Sequence, residues 1–202
     1  MSGKVPRSAL TGSPGARPPP GTRATPFTQV WDPAVRLFHW SLVAGFALAW
    51  FSPHRSEAVH MWAGYAAAGL IGLRLVWGVV GTRHARFADF VKRPGTTLAY
   101  FGAILRGTEA RHLGHNPAGG AMILVLLAGV VATAFTGWLM YTDRFYGDDA
   151  MVALHSFCAH GLLVLVILHL AGVALASVRH RENLPLAMLT GVKRAPDAGD
   201  ID

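Results

Sequence analysis

The sequence feature that most constrains this chain is the apolar stretch from Met151 to Arg179, because it carries three histidines. The stretch is long enough to cross a hydrocarbon core about 30 Å thick as one helix. His155 and His169 are 14 residues apart, which on an α-helix is four turns less about 40°, with a rise of about 21 Å. Their side chains therefore lie on nearly one face, one near each membrane surface. Ionisable groups inside a bilayer are costly and usually functional, so this spacing predicts two metal centres at two depths.

The composition indicates a membrane protein. Hydrophobic residues make up 52% of the 202 positions and charged residues only 14%, whereas a soluble domain carries nearer a quarter charged residues. The net charge of +7 comes from basic residues beside the apolar runs, where they orient a membrane protein; we therefore expect no nucleic-acid partner. The single cysteine, Cys158, excludes an intrachain disulfide and the C-x-x-C-H attachment of a c-type haem.

Four apolar runs predict an all-α, integral membrane four-helix bundle. The predicted spans are residues 35–51, 58–80, 117–141 and 151–179. Pro53 is expected to end the first helix, and residues 94–105 are expected to form a short helix in the interface. Residues 1–30 are rich in Pro, Gly, Ser, Thr and Arg and are interpreted as a disordered tail without signal-peptide character. Residues 31–194 then form the transmembrane domain, and residues 195–202 a loose C-terminal tail.

The distribution of charge predicts the orientation. Lys and Arg are concentrated in the N-terminal tail, the connection 82–116 and the C-terminal tail, whereas the loops 52–57 and 142–149 each hold one Arg and no Lys. Basic loops stay in the cytoplasm, so both termini are predicted to be cytoplasmic. This orientation places His39 and His169 near the inner surface, and His60 and His155 near the outer surface.

These two depth-matched pairs indicate haem rather than zinc. Two imidazoles that face each other across a bundle can be the axial ligands of a haem iron. Zinc takes three or four ligands from Cys, His or carboxylate side chains, whereas each level here has two histidines and no carboxylate within the membrane, and no H-E-x-x-H motif is present. Any one histidine could instead be a hydrogen-bonded interior residue; four at matched depths favour two non-covalent b-type haems.

Several further side chains are candidates at these sites. Arg74 lies at the depth of the inner pair and is expected either to pair with a haem carboxylate or to snorkel; Arg36, one turn before His39, is a second candidate. His54 competes with His60, Met140 is an alternative outer ligand, and His160 points away from both pairs. We interpret one aromatic set as an interfacial belt: Trp31, Trp50, Trp62, Trp138, Tyr141 and Tyr146.

Five segments in order resemble the prokaryotic cytochrome b561 family, and most closely the branch typified by the cytochrome b subunit of membrane-bound nickel–iron hydrogenases. They are WDPAVRLFHW at 31–40, AVHMWAGY at 58–65, GLRLVWGVVGTRHARFADFV at 72–91, HNPAG at 115–119, and LH…LH…RHRENLPLAMLTGVKR at 154–194. The resemblance implies a bundle with two b-type haems, whose ligands fall on His39, His60, His155 and His169. It also implies electron transfer, in the bacterial inner membrane, between quinone and a periplasmic c-type cytochrome or oxidoreductase subunit.

Three alternatives to this function stay open at the level of sequence. The chain could be a dedicated cytochrome b subunit of a membrane-bound hydrogenase or of another oxidoreductase complex. A histidine-based proton pathway would instead string histidines through the core and break helices at mid-depth. A membrane anchor would need no histidine pairs. The matched pairs near the two surfaces favour electron transfer.

Overall fold

Four long helices dominate the computed structural model, which describes residues 27–52 and 56–201. Helices α1 (Pro33–Phe51), α2 (Glu57–Val80), α5 (Pro117–Leu139) and α6 (Asp149–Arg179) are each long and apolar enough to cross a membrane. Their bounds confirm the four predicted spans to within two residues at either end. Residues 1–26, the stop expected at Pro53, and His54 lie outside the described residues.

Each long helix begins at a polar N-cap residue, which explains why the apolar runs start where they do. The Asp32 carboxylate accepts a hydrogen bond from the Val35 amide at 2.8 Å, and Pro33 follows directly. Asn116 caps α5 in the same way at 2.7 Å, with Pro117 next in the chain. Proline fits the first helical position because its missing N–H would have no partner there.

The long helices form a bundle in which α1 packs on α2, α2 on α5, and α5 on α6. One end of the bundle carries the connection 81–116 and the chain after α6; we call it the strand end. The other end carries the last turn of α1, the first turn of α2 and the loop 140–148, and we call it the loop end. At the loop end the Tyr141 hydroxyl donates to a Glu57 carboxylate oxygen at 2.7 Å, which joins α5 to α2.

The connection between α2 and α5 contains a 3-10 turn (Arg83–Ala85), helix α3 (Phe87–Phe90) and helix α4 (Pro94–Arg106). Helix α4 confirms the short helix predicted at 94–105. Its side chains Leu98 and Leu105 are 70% and 87% exposed, as expected for a helix that lies at the level of the lipid headgroups.

The strand end is closed by a two-stranded antiparallel sheet that joins both ends of the domain. Strand β1 (Phe27–Gln29) pairs with β2 (Val192–Arg194), which follows helix α7 (Leu184–Thr190). Residues 27–30 therefore do not belong to a disordered tail, because backbone hydrogen bonds hold them to the other end of the chain. Trp31 is only 7% exposed and packs with Val30 and Ala187, so its assignment to an interfacial belt was wrong.

A buried group of charges fixes the C-terminal residues; we call Arg111, Glu182, Lys193 and Asp200 the ionic cluster. Arg111 forms ion pairs with Glu182, at 2.8 Å, and with Asp200, and all three side chains are at most 8% exposed. Burial alone would raise the pKa of Glu182, but the hydrogen bond from Arg111 and the charge of Lys193 lower it. The Ile201 backbone also bonds to Leu113 and Arg111, each at 2.9 Å. Residues 195–201 are thus held in place, unlike the loose tail that the sequence predicted.

Candidate functional site

The structure brings His60 on α2 and His155 on α6 together near the loop end. Their ring centroids are 6.0 Å apart and the ring planes are nearly perpendicular, at 87°. Two metal–nitrogen bonds of about 2 Å, with half an imidazole ring of about 1 Å beyond each, span about 6 Å. The separation therefore leaves room for one metal ion between the two rings.

Hydrogen bonds fix the orientation of both imidazoles. The Nδ1 atom of His60 lies 2.7 Å from the Ala49 carbonyl oxygen on α1. The Nδ1 atom of His155 lies 3.1 Å from the Thr133 carbonyl oxygen and 3.2 Å from the Thr136 hydroxyl, both on α5. A carbonyl acceptor at Nδ1 places the ring proton there and leaves the Nε2 lone pair available for a metal.

The cavity around this pair suits a flat ligand. All four long helices contribute to its wall, and glycines occupy three places, at Gly45, Gly64 and Gly137. A Cβ atom at Gly137 would lie 3.0 Å from the His155 ring, so a side chain at this position would press on the imidazole. A Cβ atom at Gly64 would meet nothing within 4 Å, which shows open space beside the pair. The lining residues therefore fit a flat group such as a haem, which His60 and His155 would hold between the helices.

His39 on α1 and His169 on α6 form the second pair, toward the strand end. They are close enough to interact electrostatically. The Nδ1 atom of His39 is buried and has no hydrogen-bond partner in the described part of the chain. A buried polar atom without a partner is uncommon in native structures, so this nitrogen is available to a bound group.

Arg74 lies buried near His115, which contradicts the snorkelling alternative. Its side chain is 4% exposed, and Nη2 donates to the Ala85 carbonyl oxygen at 2.9 Å. The guanidinium carbon is 4.9 Å from the centre of the Phe87 ring. Nη1 has no partner among residues 27–52 and 56–201, so one N–H group of a buried cation remains to be paired.

Comparison with known proteins supplies the family. A model of the prokaryotic cytochrome b561 family matches residues 30–191. The chain belongs to the prokaryotic cytochrome b561 family. It is therefore a multi-pass membrane cytochrome of the b type, it binds haem b, and it takes part in electron transfer. Neither the curated proteins nor the solved structures gave a match.

The other predicted residues of this cytochrome b561 lie as follows. Arg36 Nη1 donates to the Leu189 carbonyl oxygen at 2.5 Å, while its buried Nε has no partner in the described segments. Met140 lines the cavity of the loop-end pair.

His160 points away from that pair, as predicted: its Nδ1 lies 2.8 Å from the Ser156 carbonyl oxygen, and its ring lies edge-on to Trp50. Among the described residues, no three His, Cys, Asp or Glu side chains are grouped to hold a metal, so the zinc alternative gains no support.

Sequence reasoning missed His115, which it assigned to a loop. The imidazole lies between two aromatic rings, with ring centroids 4.5 Å from Trp31 and 4.9 Å from Phe90. Its Nδ1 atom is inaccessible to solvent and unpaired within the described residues. Burial, with Lys193 and Arg74 nearby, lowers the pKa of His115 to about 3. The signal in the sequence was its place directly before the Asn116-Pro117 helix start, which fixes the backbone at this residue.

Proposed function

We propose that this cytochrome b561 holds two b-type haems, one toward each end of the bundle, and passes electrons between them. The observation that carries the proposal is the pair His60 and His155, whose rings stand one metal ion apart with both Nδ1 atoms anchored. His39 on α1 and His169 on α6, which are close enough to interact electrostatically, are the second proposed pair, toward the strand end. The proposed ligands are thus His60 with His155 and His39 with His169.

The protein residues position the haems and set their properties, while the haem iron, when bound, supplies the one-electron redox chemistry. The hydrogen bonds from Nδ1 of His60 and His155 keep each ring in one orientation and make Nε2 a stronger donor to iron. At the strand end, Arg74 Nη1 and Arg36 Nε are the proposed partners of haem carboxylates, because guanidinium groups form strong hydrogen bonds with carboxylates.

The proposed electron route runs between quinone in the membrane and a redox partner in the periplasm. Membership of the family supports electron transfer, and the bias of Lys and Arg toward the strand end supports a cytoplasmic location for both termini in the bacterial inner membrane. We place quinone exchange at the strand end and the partner, a c-type cytochrome or an oxidoreductase subunit, at the loop end. The unbroken helix α6 (Asp149–Arg179) disfavours a proton pathway through broken helices.

The test is a haem count by pyridine haemochrome, together with reduced-minus-oxidised optical spectra of the purified protein. We expect two b-type haems per chain. His155→Ala and His60→Ala should each leave one haem, and so should His39→Ala and His169→Ala. His160→Ala is the matched control on α6 and should leave both haems.

Two results would contradict the proposal. One haem in the unaltered protein would reduce it to a single site, and the variants would show which pair is occupied. A folded protein without haem would exclude both pairs as ligands. Reduction of the haems by a quinol is the separate test of the quinone partner.

A further inference from the structure

The groove between α2 and α5 is the strongest candidate for a site that the haem pairs do not use. We infer that it is the quinone site: the isoprenoid tail lies in this groove, and the headgroup lies at its strand end beside helix α3, hydrogen-bonded to His115. The inference rests on the proposed function, which requires a quinone, and it names the residues that would bind it.

The groove has the size and chemistry that a prenyl chain needs. It encloses about 460 Å³ and is lined by side chains that are all apolar, among them Ile71 and Leu75 on α2 and Ala128 and Ala132 on α5. From Leu124 to Phe135, its wall follows α5 for about 17 Å. Leu75 and Phe135 are 49% and 55% exposed, so the groove opens toward lipid, where a quinone tail would enter.

An aromatic path leads from the groove to His115. The Phe87 ring forms the strand end of the groove and lies directly on Gly78, where any Cβ atom would collide with it. Its centroid is 5.6 Å from the centre of Phe90, which in turn is 4.9 Å from His115. Flat rings along this path can stack on a quinone ring, so helix α3 suits a cover for the headgroup.

His115 offers the quinone headgroup a hydrogen-bonding group, which the apolar groove does not provide. Its Nδ1 atom is inaccessible and unpaired within the described residues, and burial keeps the ring neutral at physiological pH because its pKa falls to about 3. A neutral imidazole can donate to a quinone carbonyl oxygen or accept from a quinol hydroxyl. Arg74, whose guanidinium contacts Phe87 and Phe90, adds positive charge near those oxygens.

The experiment distinguishes binding of the quinone tail from binding of the headgroup. Holoprotein in nanodiscs is mixed with a decyl-substituted benzoquinol or with the same headgroup without a tail, and haem reduction is followed optically. Ala128→Phe fills the groove and should raise the half-saturating concentration of the decyl quinol about tenfold, the effect of losing contact with about two methylene groups. It should leave the tailless quinol unchanged. Ala66→Phe, at an exposed position of α2 outside the groove, is the matched control.

His115→Phe keeps a ring between Trp31 and Phe90 but removes the hydrogen bond. It should therefore raise the half-saturating concentration of both quinols about fivefold to tenfold. Haem content and dithionite reduction should not change. The inference is overturned if Ala128→Phe behaves as Ala66→Phe does, as expected for a groove filled by lipid. It is also overturned if Ala128→Phe weakens binding of both quinols equally, which would indicate a general structural effect. The effect of Ala128→Phe decides this even if His115→Phe does not assemble. A protein that dithionite reduces and no quinol reduces would overturn the quinone partner itself.

Discussion

At the scale of single residues, the acceptors around His155 are of two kinds. Thr133 offers its backbone carbonyl oxygen, whereas Thr136 offers its side-chain hydroxyl. Thr136 is 6% exposed, so water cannot replace its hydroxyl. The two threonines can therefore be separated by substitution, because only one of them contributes a side chain to the imidazole.

We expect Thr136→Val to raise the midpoint potential of one haem by about 20–50 mV, the equivalent of one hydrogen bond of about 1 kcal/mol. With fewer hydrogen bonds at Nδ1, His155 becomes a weaker donor, and a weaker donor favours reduced iron. Thr133→Val is the control and should leave both potentials unchanged, since the backbone carbonyl remains. A redox titration checks this, and equal shifts in both variants would contradict it.

Gly78 shows where the bundle tolerates no side chain. Because a Cβ atom there would collide with the Phe87 ring, Gly78→Ala should destabilise the protein by about 1–3 kcal/mol. Gly72 lies on the same helix with nothing within 4 Å of its Cβ position, so Gly72→Ala should be neutral or slightly stabilising. Thermal unfolding measurements on the two variants should differ in this order; similar stabilities would show that Phe87 moves aside freely.

The approach of His60 to His155 could be predicted from sequence, and the surroundings of His115 could not. Spacing along a helix fixes depth and face, so His155 and His169 give a pattern that can be read locally. The surroundings of His115 come from Trp31 and Phe90, which lie 84 and 25 residues away along the chain. Only the folded connection brings these rings together, and no periodicity marks it.

At the scale of elements, the ionic cluster ties the connection between α2 and α5 to the chain that follows α6. Asp200→Ala would leave the buried Arg111 with Glu182 as its remaining ion-pair partner, so we expect a loss of about 2–3 kcal/mol. Asp197 also forms an ion pair, with Arg194, but its side chain is 68% exposed, so Asp197→Ala should have little effect.

Hydrogen exchange at residues 107–116 would detect this difference. Faster exchange in Asp200→Ala than in Asp197→Ala is expected, because the Ile201 backbone bonds to Arg111 and Leu113 depend on the position of the C-terminal segment. Equal exchange in the two variants would show that Glu182 alone holds Arg111.

The strand end should also weaken in mild acid. The pKa of His115 is about 3 in the folded protein against 6.5 ordinarily, so between these values the unfolded chain binds more protons and folding stability falls as pH falls. The contribution of His115 to folding stability is fully present above pH 6.5. The charged or titratable neighbours that lower the pKa further are Lys193, Arg74, His84 and His169.

From pH 7 to pH 5.5, we therefore expect His115 to account for a loss of about 1 kcal/mol. His115→Phe should remove that part of the pH dependence, and the comparison of the two proteins isolates this group from other histidines. Thermal unfolding at pH 7 and pH 5.5 measures it. An identical slope in the variant would mean that His115 binds protons equally in the folded and the unfolded protein.

The helices could be predicted to within two residues because apolar length and capping residues are local signals. The sheet could not, because β1 and β2 have three residues each and pair across the whole domain. Three residues carry no alternation that differs from chance, and the register of Phe27 with Arg194 is set by the fold around it.

At the scale of the whole molecule, the bias of basic residues predicts the orientation. Alkaline phosphatase folds actively only in the periplasm, so its insertion between Arg144 and Phe145 at the loop end should give an active enzyme. Fusion after residue 202 should give an inactive one, while green fluorescent protein at the same place should fluoresce. The opposite pattern would show that the bundle has the inverted orientation. The proposed ends for quinone exchange and for the redox partner would then face the opposite sides of the membrane.

The continuity of α6 has an electrical consequence. His155 and His169 lie on one uninterrupted helix, about 21 Å apart along its axis, which is about two-thirds of a hydrocarbon core about 30 Å thick. A charge that crosses the whole membrane changes energy by about 2.3 kcal/mol per 100 mV. An electron that moves between the two levels therefore does work of about 1.5 kcal/mol per 100 mV of membrane voltage. With haems bound at both levels, as proposed, turnover is electrogenic, and an energised membrane drives electrons toward one face and holds them back from the other.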